Sequence, residues 1–283
     1  MEEKKQNQIS RRAFVQAAGM GAIGASAIWG FANLVTSDER KIIQGFDDSG
    51  AIELDAWKGW QPISERRIRV GIAGHGICKF GLAFSFQFHP NVEVVAVTDL
   101  IPERCEKMAE ACQCKKTYPS CEEMIKDKSI EAIFVATDAP SHSRLCIAAL
   151  EAGKHVACAV PAVHGSLEEA EKLLSAVKNS GKNYMMFETS YFHADLHAWR
   201  QQYNAGELGK LIYSEGEYFH YAAKPIGSYK GWRHGMPPQW YPTHSNAYYI
   251  GVTGGSFTEV SCMGMPSTFE RLQPLNNRYK NPF

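Results

Sequence analysis

From residue 66 to residue 188, short apolar runs alternate with longer amphipathic runs. The apolar runs predict five buried strands, namely IRVGIAG, VEVVAVTD, IEAIFVAT, KHVACAV and NYMMFET. The runs between them carry charged residues on one face, as helices on a protein surface do. Strands that are apolar throughout are typical of a parallel sheet with helices on both faces. The pattern therefore predicts a wound α/β domain over residues 66–188.

Helix boundaries in this region carry the residues that favour them. Pro102 lies at the start of one predicted helix, and Gly153 closes another. Ser166 and Glu169 have the spacing of a capping box before a helix with one apolar face. These boundaries support the alternation of strands and helices.

The stretch VGIAGHGICKFG follows the first predicted strand and precedes a helix. Gly74 suits a tight turn, and Gly76 allows the backbone to approach a pyrophosphate at a helix N-terminus. Lys79 stands where a third glycine is usual, and Gly81 is placed to take part of that role. Asp99 ends the second strand, where a carboxylate binds ribose hydroxyls and repels a 2′-phosphate. We therefore predict a Rossmann domain that binds NAD in preference to NADP.

The N-terminus predicts export. The pair Arg11 and Arg12 precedes an apolar run rich in small residues, which is typical of a twin-arginine (Tat) signal over residues 1–37. A Sec signal or a membrane anchor are the alternatives. We expect recognition by the Tat machinery, a periplasmic protein, and a linker or arm over residues 38–65.

Composition excludes some functions and leaves others open. Thirty basic and thirty acidic residues cancel, and no basic stripe indicates a nucleic-acid partner. The cysteines cluster in part at residues 105, 112, 114 and 121, but their spacing is not that of a zinc site. We interpret them as small buried residues, of which one pair can form a disulfide, and we predict no bound metal.

The stretch VATDAPSHSRLCIAALEAGKHVACAVP, Val135–Pro161, resembles the Gfo/Idh/MocA oxidoreductases. The resemblance implies a Rossmann domain followed, over residues 189–283, by an α+β domain with an open antiparallel sheet. It also implies NAD-dependent chemistry on sugars and places Thr137, His142 and Pro161 at the cofactor. Few residues follow the first domain compared with that family, so we expect an incomplete second domain, or strands supplied from elsewhere, and an edge that favours pairing with a second copy.

One position departs from that family. Where its members carry a lysine that moves the hydroxyl proton, this sequence has Val160. Valine has no proton to transfer and no charge to stabilise an alkoxide. Another residue must therefore do this work if the chemistry is retained.

The C-terminal part resembles one branch of the family, the NAD-dependent α-N-acetylgalactosaminidases, through the motifs MMFETSY, GEYFH, GWR and YPTH. The resemblance implies catalytic roles for Tyr191, His220 and His244. It implies substrate binding by Trp232, Arg233 and Tyr241. Tyr241 and His244 are expected in a proline-containing loop, and the segment FHADLHAWR departs from the branch, which leaves the sugar open.

In that branch, NAD takes hydride from C3 of the sugar, a base removes the C2 proton, the glycosidic oxygen leaves, and the hydride returns after water adds. The resemblance therefore implies a carbohydrate-active protein that cleaves glycosides with a recycled NAD. A sugar dehydrogenase with a proton acceptor other than lysine is one alternative. A periplasmic sugar-binding protein without activity is the other.

Overall fold

The computed structural model describes residues 59–281, except residues 77–78, 84, 221–223 and 225. The predicted export segment and most of the predicted arm lie outside the described residues. One parallel sheet organises the first half of the described chain. Its strands are β1 (Ile68–Ala73), β2 (Val92–Thr98), β3 (Ala132–Val135), β4 (His155–Ala159) and β5 (Tyr184–Phe187). Their order is β2-β1-β3-β4-β5, and every neighbouring pair is parallel. The predicted Rossmann-like α/β fold is confirmed.

Helices connect the strands and continue beyond the sheet. They are α1 (Phe80–Ala83), α2 (Pro102–Ala111), α3 (Cys121–Ile125), α4 (His142–Glu151), α5 (Leu167–Ser180), α6 (Ala194–Ala205) and α7 (Thr243–Thr253). Within the described ranges, none of these helices is long and apolar enough to cross a membrane.

The boundaries of α5 show how local sequence sets a helix. The Ser166 hydroxyl accepts a hydrogen bond from the Glu169 amide at 3.1 Å, and Gly181 ends the helix with a φ of 63°. The Glu169 carboxylate accepts a bond from the Ser143 hydroxyl at 2.6 Å. This acidic residue of the predicted capping box therefore joins α5 to α4.

The core lies on both faces of the sheet because successive strand residues point to opposite sides. Ile133 and Val135 of β3 pack in one cluster under α4 and α5. Phe134, between them, packs in the other cluster with Met108 of α2. The seven cysteines of the described residues form no disulfide, and five of them are buried. They serve there as small core residues, which agrees with their interpretation from the sequence.

The second half of the chain differs from its prediction. Helices α6 and α7 pack against each other, but the described residues after position 189 contain no strand. The expected open antiparallel sheet is therefore not formed in this part of the structure. A strand must bond its backbone to a neighbour, and residues 211–220 have no such neighbour among the described residues. Ile212 and Phe219 of this segment are largely exposed.

Candidate functional site

The glycine loop after β1 has a conformation that requires glycine. Gly74 and Gly76 have φ values of 95° and 63°, a region that other residues rarely adopt. A Cβ at Gly74 would collide with the backbone carbonyl of Ala136 at the end of β3. The loop thus lies tightly against the carboxyl edge of the sheet, where open α/β sheets bind their ligands.

Lys79 adopts a φ of 52°, so the turn continues in a left-handed conformation at the position where a third glycine is usual. Gly81 of α1 provides the close packing. A Cβ there would collide with the carbonyl of Gly74 and would lie 3.1 Å from a methyl group of Ile72. The start of this helix can approach β1 because Gly81 has no side chain.

Asp99, at the end of β2, orders the glycine loop. One of its carboxylate oxygens accepts hydrogen bonds from the amides of His75 at 2.8 Å and Gly76 at 3.4 Å. The other accepts a bond from the Ile101 amide at 2.9 Å. Because a carboxylate has about four acceptor positions, Asp99 retains capacity for a ribose hydroxyl. A pocket of about 150 Å³ beside Asp99 is lined by Gly74 and Gly76. These residues fit the phosphate and ribose groups of a dinucleotide.

His142 begins α4 and is fully buried. Its Nδ1 lies 2.8 Å from the carbonyl of Pro161, and its Nε2 lies 3.1 Å from the carbonyl of Thr137. Two carbonyl acceptors require two N–H donors, which only the imidazolium form has. Burial alone lowers the pKa of His142, but Cys158 and the two carbonyls outweigh it and raise that pKa to about 9.

His142 also lines the larger cleft described below, so its contact with cofactor stays a prediction, and the structure adds a positioning role. Both ring nitrogens are used to join the loops that follow β3 and β4, so the ring positions these loops. Thr137 lines both the pocket beside Asp99 and the larger cleft. Pro161 follows Val160 and is not among the residues that line either cavity within the described chain.

A cleft of about 1050 Å³ lies between the carboxyl ends of the central strands and residues 189–253. It adjoins the pocket beside Asp99, because Thr137 and Arg233 line both. The predicted site residues that line the cleft are Thr137, His142, His220, Trp232, Arg233, Tyr241 and His244. Val160 lines it as well, so the substituted lysine position faces this space. The volume is sufficient for a small organic ligand, for which about 300–1,000 Å³ is typical.

Glu188 and His244 form a buried pair, of which His244 lines this cleft. The Glu188 carboxylate lies 2.5 Å from His244 Nδ1 and also accepts a bond from the Ser190 amide at 2.8 Å. Burial tends to raise the pKa of Glu188, but the bonds from His244 and the Ser190 amide outweigh it, and the pKa is lowered. The pair thus combines an ionised carboxylate with an imidazole whose Nδ1–H it accepts.

His244 lies in the first turn of α7 and not in a loop as predicted. Pro242 ends the preceding irregular segment immediately before the helix begins, and this proline led to the loop interpretation. Glu188 was not predicted as a site residue. Its position directly after β5, at the carboxyl edge of the sheet, and its place in the motif MMFETSY were the available indications.

Aromatic and basic groups surround His244. The ring of Tyr218 lies 4.2 Å from the His244 ring, and its hydroxyl is 2.9 Å from His220 Nε2. The ring of Tyr241 lies 5.2 Å from that of His244. Burial raises the pKa of Tyr241 to about 12, although the neighbouring Arg233 opposes this change. Tyr241 therefore remains a proton donor at neutral pH.

Arg233 completes this group. Its guanidinium lies 4.2 Å above the Trp232 ring and 5.9 Å from the Tyr241 ring. Stacking on aromatic faces orients the planar donor groups of an arginine. Arg233 is therefore placed to donate hydrogen bonds to an oxygen in the cleft.

Tyr191 does not join the other predicted catalytic residues. It lies on the turn Thr189–Phe192, and its ring packs below Arg200 of α6 at 4.8 Å. A Cβ at Gly251 of α7 would lie 3.0 Å from this ring, so Tyr191 fills the contact between α6 and α7. The turn that Glu188 caps carries Tyr191 away from the cleft.

No group of three or more His, Cys, Asp or Glu side chains is arranged to hold a metal ion in the described part of the chain. His193 and His197 are four positions apart, a spacing that can place two metal ligands on one helix face, but their rings contact different residues. His193 contacts Tyr248, and His197 contacts Arg200.

A comparison with protein families identifies the domain that contains the sheet. Residues 68–188 match the family described as oxidoreductase family, NAD-binding Rossmann fold (GFO_IDH_MocA). This match assigns those residues, though not the whole chain, to that family. For this domain, the match confirms the predicted NAD cofactor.

Curated relatives are named as glycosyl hydrolases. Glycosyl hydrolase family 109 protein 1 of Bacteroides fragilis is 30% identical over 165 residues, which are 54% of this chain and 35% of the relative. The protein 1 of Bacteroides thetaiotaomicron is 32% identical over 165 residues, 54% and 34% of the two chains. The protein of Porphyromonas gingivalis is 26% identical over 162 residues, again 54% and 34%. The alignments thus span about a third of the length of these relatives.

Solved structures similar to this chain include inositol dehydrogenases. The myo-inositol 2-dehydrogenase from Lactobacillus plantarum superposes with a TM-score of 0.46 at 22% identity, over 52% of this chain and 44% of that one. The scyllo-inositol dehydrogenase from Lactobacillus casei with bound NAD(H) and scyllo-inositol gives a TM-score of 0.47 at 19% identity, over 51% and 43%.

Proposed function

We propose that this chain belongs to an exported enzyme that binds NAD and cleaves a glycosidic bond through transient oxidation of the sugar. The observation that carries the proposal is the buried Glu188–His244 pair, whose His244 lines a cleft that adjoins the pocket of the glycine loop. Val160 lines the same cleft at the position of the family lysine. The names of the curated relatives support glycosides as the substrate class.

The glycine loop and Asp99 would hold NAD by its phosphates and ribose, and Thr137 lies where the two cavities adjoin. When bound, NAD supplies a reversible acceptor for hydride from a sugar carbon. Oxidation of that carbon to a ketone makes a proton on the neighbouring carbon acidic enough for a protein base to remove. The remaining steps need a base, an acid and groups that bind oxygen.

His244 is the base that the geometry favours. Because its Nδ1–H donates to Glu188, Nε2 is the nitrogen that can accept a proton. Glu188 remains ionised and stabilises the imidazolium that forms, as a carboxylate does in other acid–base pairs. Glu188 therefore positions His244 and does not itself need to contact the sugar.

Tyr241 and Arg233 supply the complementary functions. Tyr241 is protonated at neutral pH and can donate a proton to the departing glycosidic oxygen. Arg233 can donate hydrogen bonds to the oxidised sugar oxygen and stabilise negative charge there. Oxidation also releases the proton of the sugar hydroxyl, and the hydrogen-bonded pair of His220 and Tyr218 in the same cleft would accept it. Water would then add where the glycosidic oxygen left, and the hydride would return to the oxidised carbon.

A sugar dehydrogenase remains the second candidate, because His244 could accept a hydroxyl proton in place of the missing lysine. Both activities need the same cofactor. The glycosidase returns the hydride to the sugar, whereas the dehydrogenase leaves it on the cofactor as NADH. Export by the Tat route and a periplasmic location belong to the proposal on the strength of the N-terminal sequence alone.

Release of the aglycone from chromogenic α- and β-glycosides, with no NAD added, tests the proposal. We expect release over many turnovers without accumulation of NADH, together with NAD recovered from denatured protein. The variant His89→Ala is the control for substitutions of histidines in the cleft. His89 packs against Trp60 and lines neither cavity. NADH formed in proportion to product would support the dehydrogenase. Folded protein without nucleotide or turnover would support a sugar-binding protein.

A further inference from the structure

One side of the cleft carries polar and aromatic side chains that the proposed reaction does not use. His193, Asp195 and Trp199 come from the start of α6, and Tyr248 comes from α7. All four line the same cleft as His244. Helices α6 and α7 pack together, so these side chains form one continuous wall.

Tyr248 fixes the carboxylate of Asp195. The phenol hydroxyl lies 3.0 Å from one carboxylate oxygen and 2.9 Å from the other. Burial, followed by the neighbouring Asp195, raises the pKa of Tyr248 to about 12, so the phenol is the hydrogen donor. The amide of Leu196 donates to Asp195 as well, at 2.8 Å. Asp195 is exposed to the cleft and keeps further acceptor capacity.

His193 continues this arrangement. Its Nδ1 lies 3.3 Å from the Tyr248 hydroxyl. Since the phenol hydrogen is directed to Asp195, the phenol oxygen accepts from Nδ1–H, and Nε2 of a neutral His193 is left as an acceptor. The wall therefore presents hydrogen-bond acceptors, which suit a ligand rich in hydroxyl donors.

Trp199 provides a flat apolar surface beside these acceptors. Tyr248 packs against it at 5.6 Å with the rings at 63° to one another, yet 49% of Trp199 remains exposed. A large aromatic side chain that is supported on one side and open to a ligand cleft on the other is typical of a stacking surface.

From this geometry we propose that the α6–α7 wall is a second sugar subsite. A hydroxylated ring stacks on Trp199 and donates hydrogen bonds to Asp195 and His193. The inference rests on the proposed function in one respect, since it assigns to the enzyme a substrate of at least two sugar units. The subsite holds the unit that is joined to the sugar bound near His244.

The test compares the binding of a disaccharide with that of the methyl glycoside of the same non-reducing sugar. The probes are such pairs built on galactose, N-acetylgalactosamine and glucose, in both anomers, and affinity is measured by calorimetry on the full chain with NAD present. For the preferred sugar we expect the disaccharide to bind about tenfold more tightly, which corresponds to about 1.4 kcal/mol.

Trp199→Ala should reduce this preference to within about twofold and leave the affinity for the methyl glycoside unchanged. Asp195→Asn should reduce it by a smaller factor. Trp60→Ala is the matched control, because Trp60 is also partly exposed, at 37%, but lines neither cavity. It should leave the preference intact.

An equal loss of affinity for both probes in Trp199→Ala would overturn the subsite, as would a folded protein without preference for any disaccharide. The proposed function is judged separately. If the disaccharide preference depends on Trp199 but no glycoside is cleaved, the subsite holds and the glycosidase proposal fails. If glycosides are cleaved without such a preference, the subsite fails alone.

Discussion

The sheet domain and the segment after residue 188 use their residues in different ways. In the sheet domain the groups that line the pocket beside Asp99 include the backbone of the glycine loop, which the Asp99 carboxylate orders. In the second segment the groups that line the cleft are side chains on two helices and on irregular stretches between them. The fold fixes the first set, whereas each member of the second depends on one or two specific contacts.

Because of this difference, we expect substitutions in the two regions to have different effects. A change in the glycine loop alters cofactor binding and stability together, because the backbone conformation serves both there. A change at a side chain of the second segment can remove chemistry with little effect on stability. The substitutions below test that distinction, beginning with the largest expected effect.

His244→Ala should abolish nearly all glycoside release. Loss of a general base typically costs about 10²–10⁴-fold in rate, and we expect kcat to fall by about 10³-fold. NAD recovered from the denatured protein should be close to that of the wild type, whereas the unfolding midpoint should fall, because the buried Glu188 carboxylate loses its partner. Steady-state kinetics with the best glycoside of the panel gives the measurement.

Glu188→Gln sharpens this result. Glutamine retains an acceptor oxygen but removes the charge that stabilises a protonated His244, so a smaller loss, about 10²-fold in kcat, is expected. Equal losses in stability and activity for both variants would show that the pair is structural and would contradict the assignment of His244 as the base.

His142→Phe should be the most destabilising change in the sheet domain. Phenylalanine keeps a ring of similar shape but leaves the buried carbonyls of Thr137 and Pro161 without their donor. Each unsatisfied buried group costs about 1–3 kcal/mol, so we expect a loss of about 3 kcal/mol in urea unfolding.

His155→Phe is the control for that substitution. His155 also lies on this sheet, and its Nδ1 accepts one bond from the Asn183 amide at 3.0 Å, a bond that is exposed. The control should lose about 1 kcal/mol or less. A similar loss in both variants would contradict the role assigned to His142.

Gly76→Ala and Gly181→Ala form a pair with matched backbone strain. Both glycines have a φ of 63°, and a Cβ at either would meet no atom within 4 Å. Each substitution should cost about 1–2 kcal/mol of stability because alanine disfavours this conformation. Only Gly76 lines the proposed phosphate loop, so only Gly76→Ala should lower NAD affinity, by about tenfold or more, in a fluorescence titration. Equal NAD affinity in the two variants would contradict this assignment of the loop.

The sheet could be predicted from sequence because each strand is a short, mainly apolar run separated from the next by a longer amphipathic segment. Gly81, which replaces the usual third glycine, could also be anticipated, since packing of helix on strand leaves no room for a side chain there. These features depend on residues close in sequence or on the regular geometry of parallel strands.

The site of the second segment was predicted less completely. Glu188 pairs with His244, which lies 56 positions away in the sequence. A local sequence pattern cannot predict such a contact. Tyr191 belongs to the same motif as Glu188, but the turn directs it into the α6–α7 contact. The expected antiparallel sheet is absent from the described residues after position 188 for a related reason, because strand propensity does not supply a neighbouring strand.

The smallest predicted effect concerns pH and the contact between the two regions. His164 follows β4, its Nε2 lies 3.0 Å from the Tyr279 hydroxyl, and its ring packs on Trp232 and Trp240. Burial is the main cause that lowers the pKa of His164. The folded protein therefore favours the neutral ring, while the unfolded chain binds a proton below its ordinary pKa of about 6.5.

It follows that the contribution of His164 to stability is complete above about pH 6.5 and is lost as the pH falls toward the lower pKa of the folded state. Between pH 7.0 and 5.5, where carboxylates titrate little, the melting temperature of the wild type should fall slightly more than that of His164→Phe, by about 2 °C or less. Phenylalanine keeps the aromatic packing and removes the titration. Parallel pH dependence in the two proteins would mean that the link between the regions is held by aromatic packing alone, and that protonation of His164 does not weaken it.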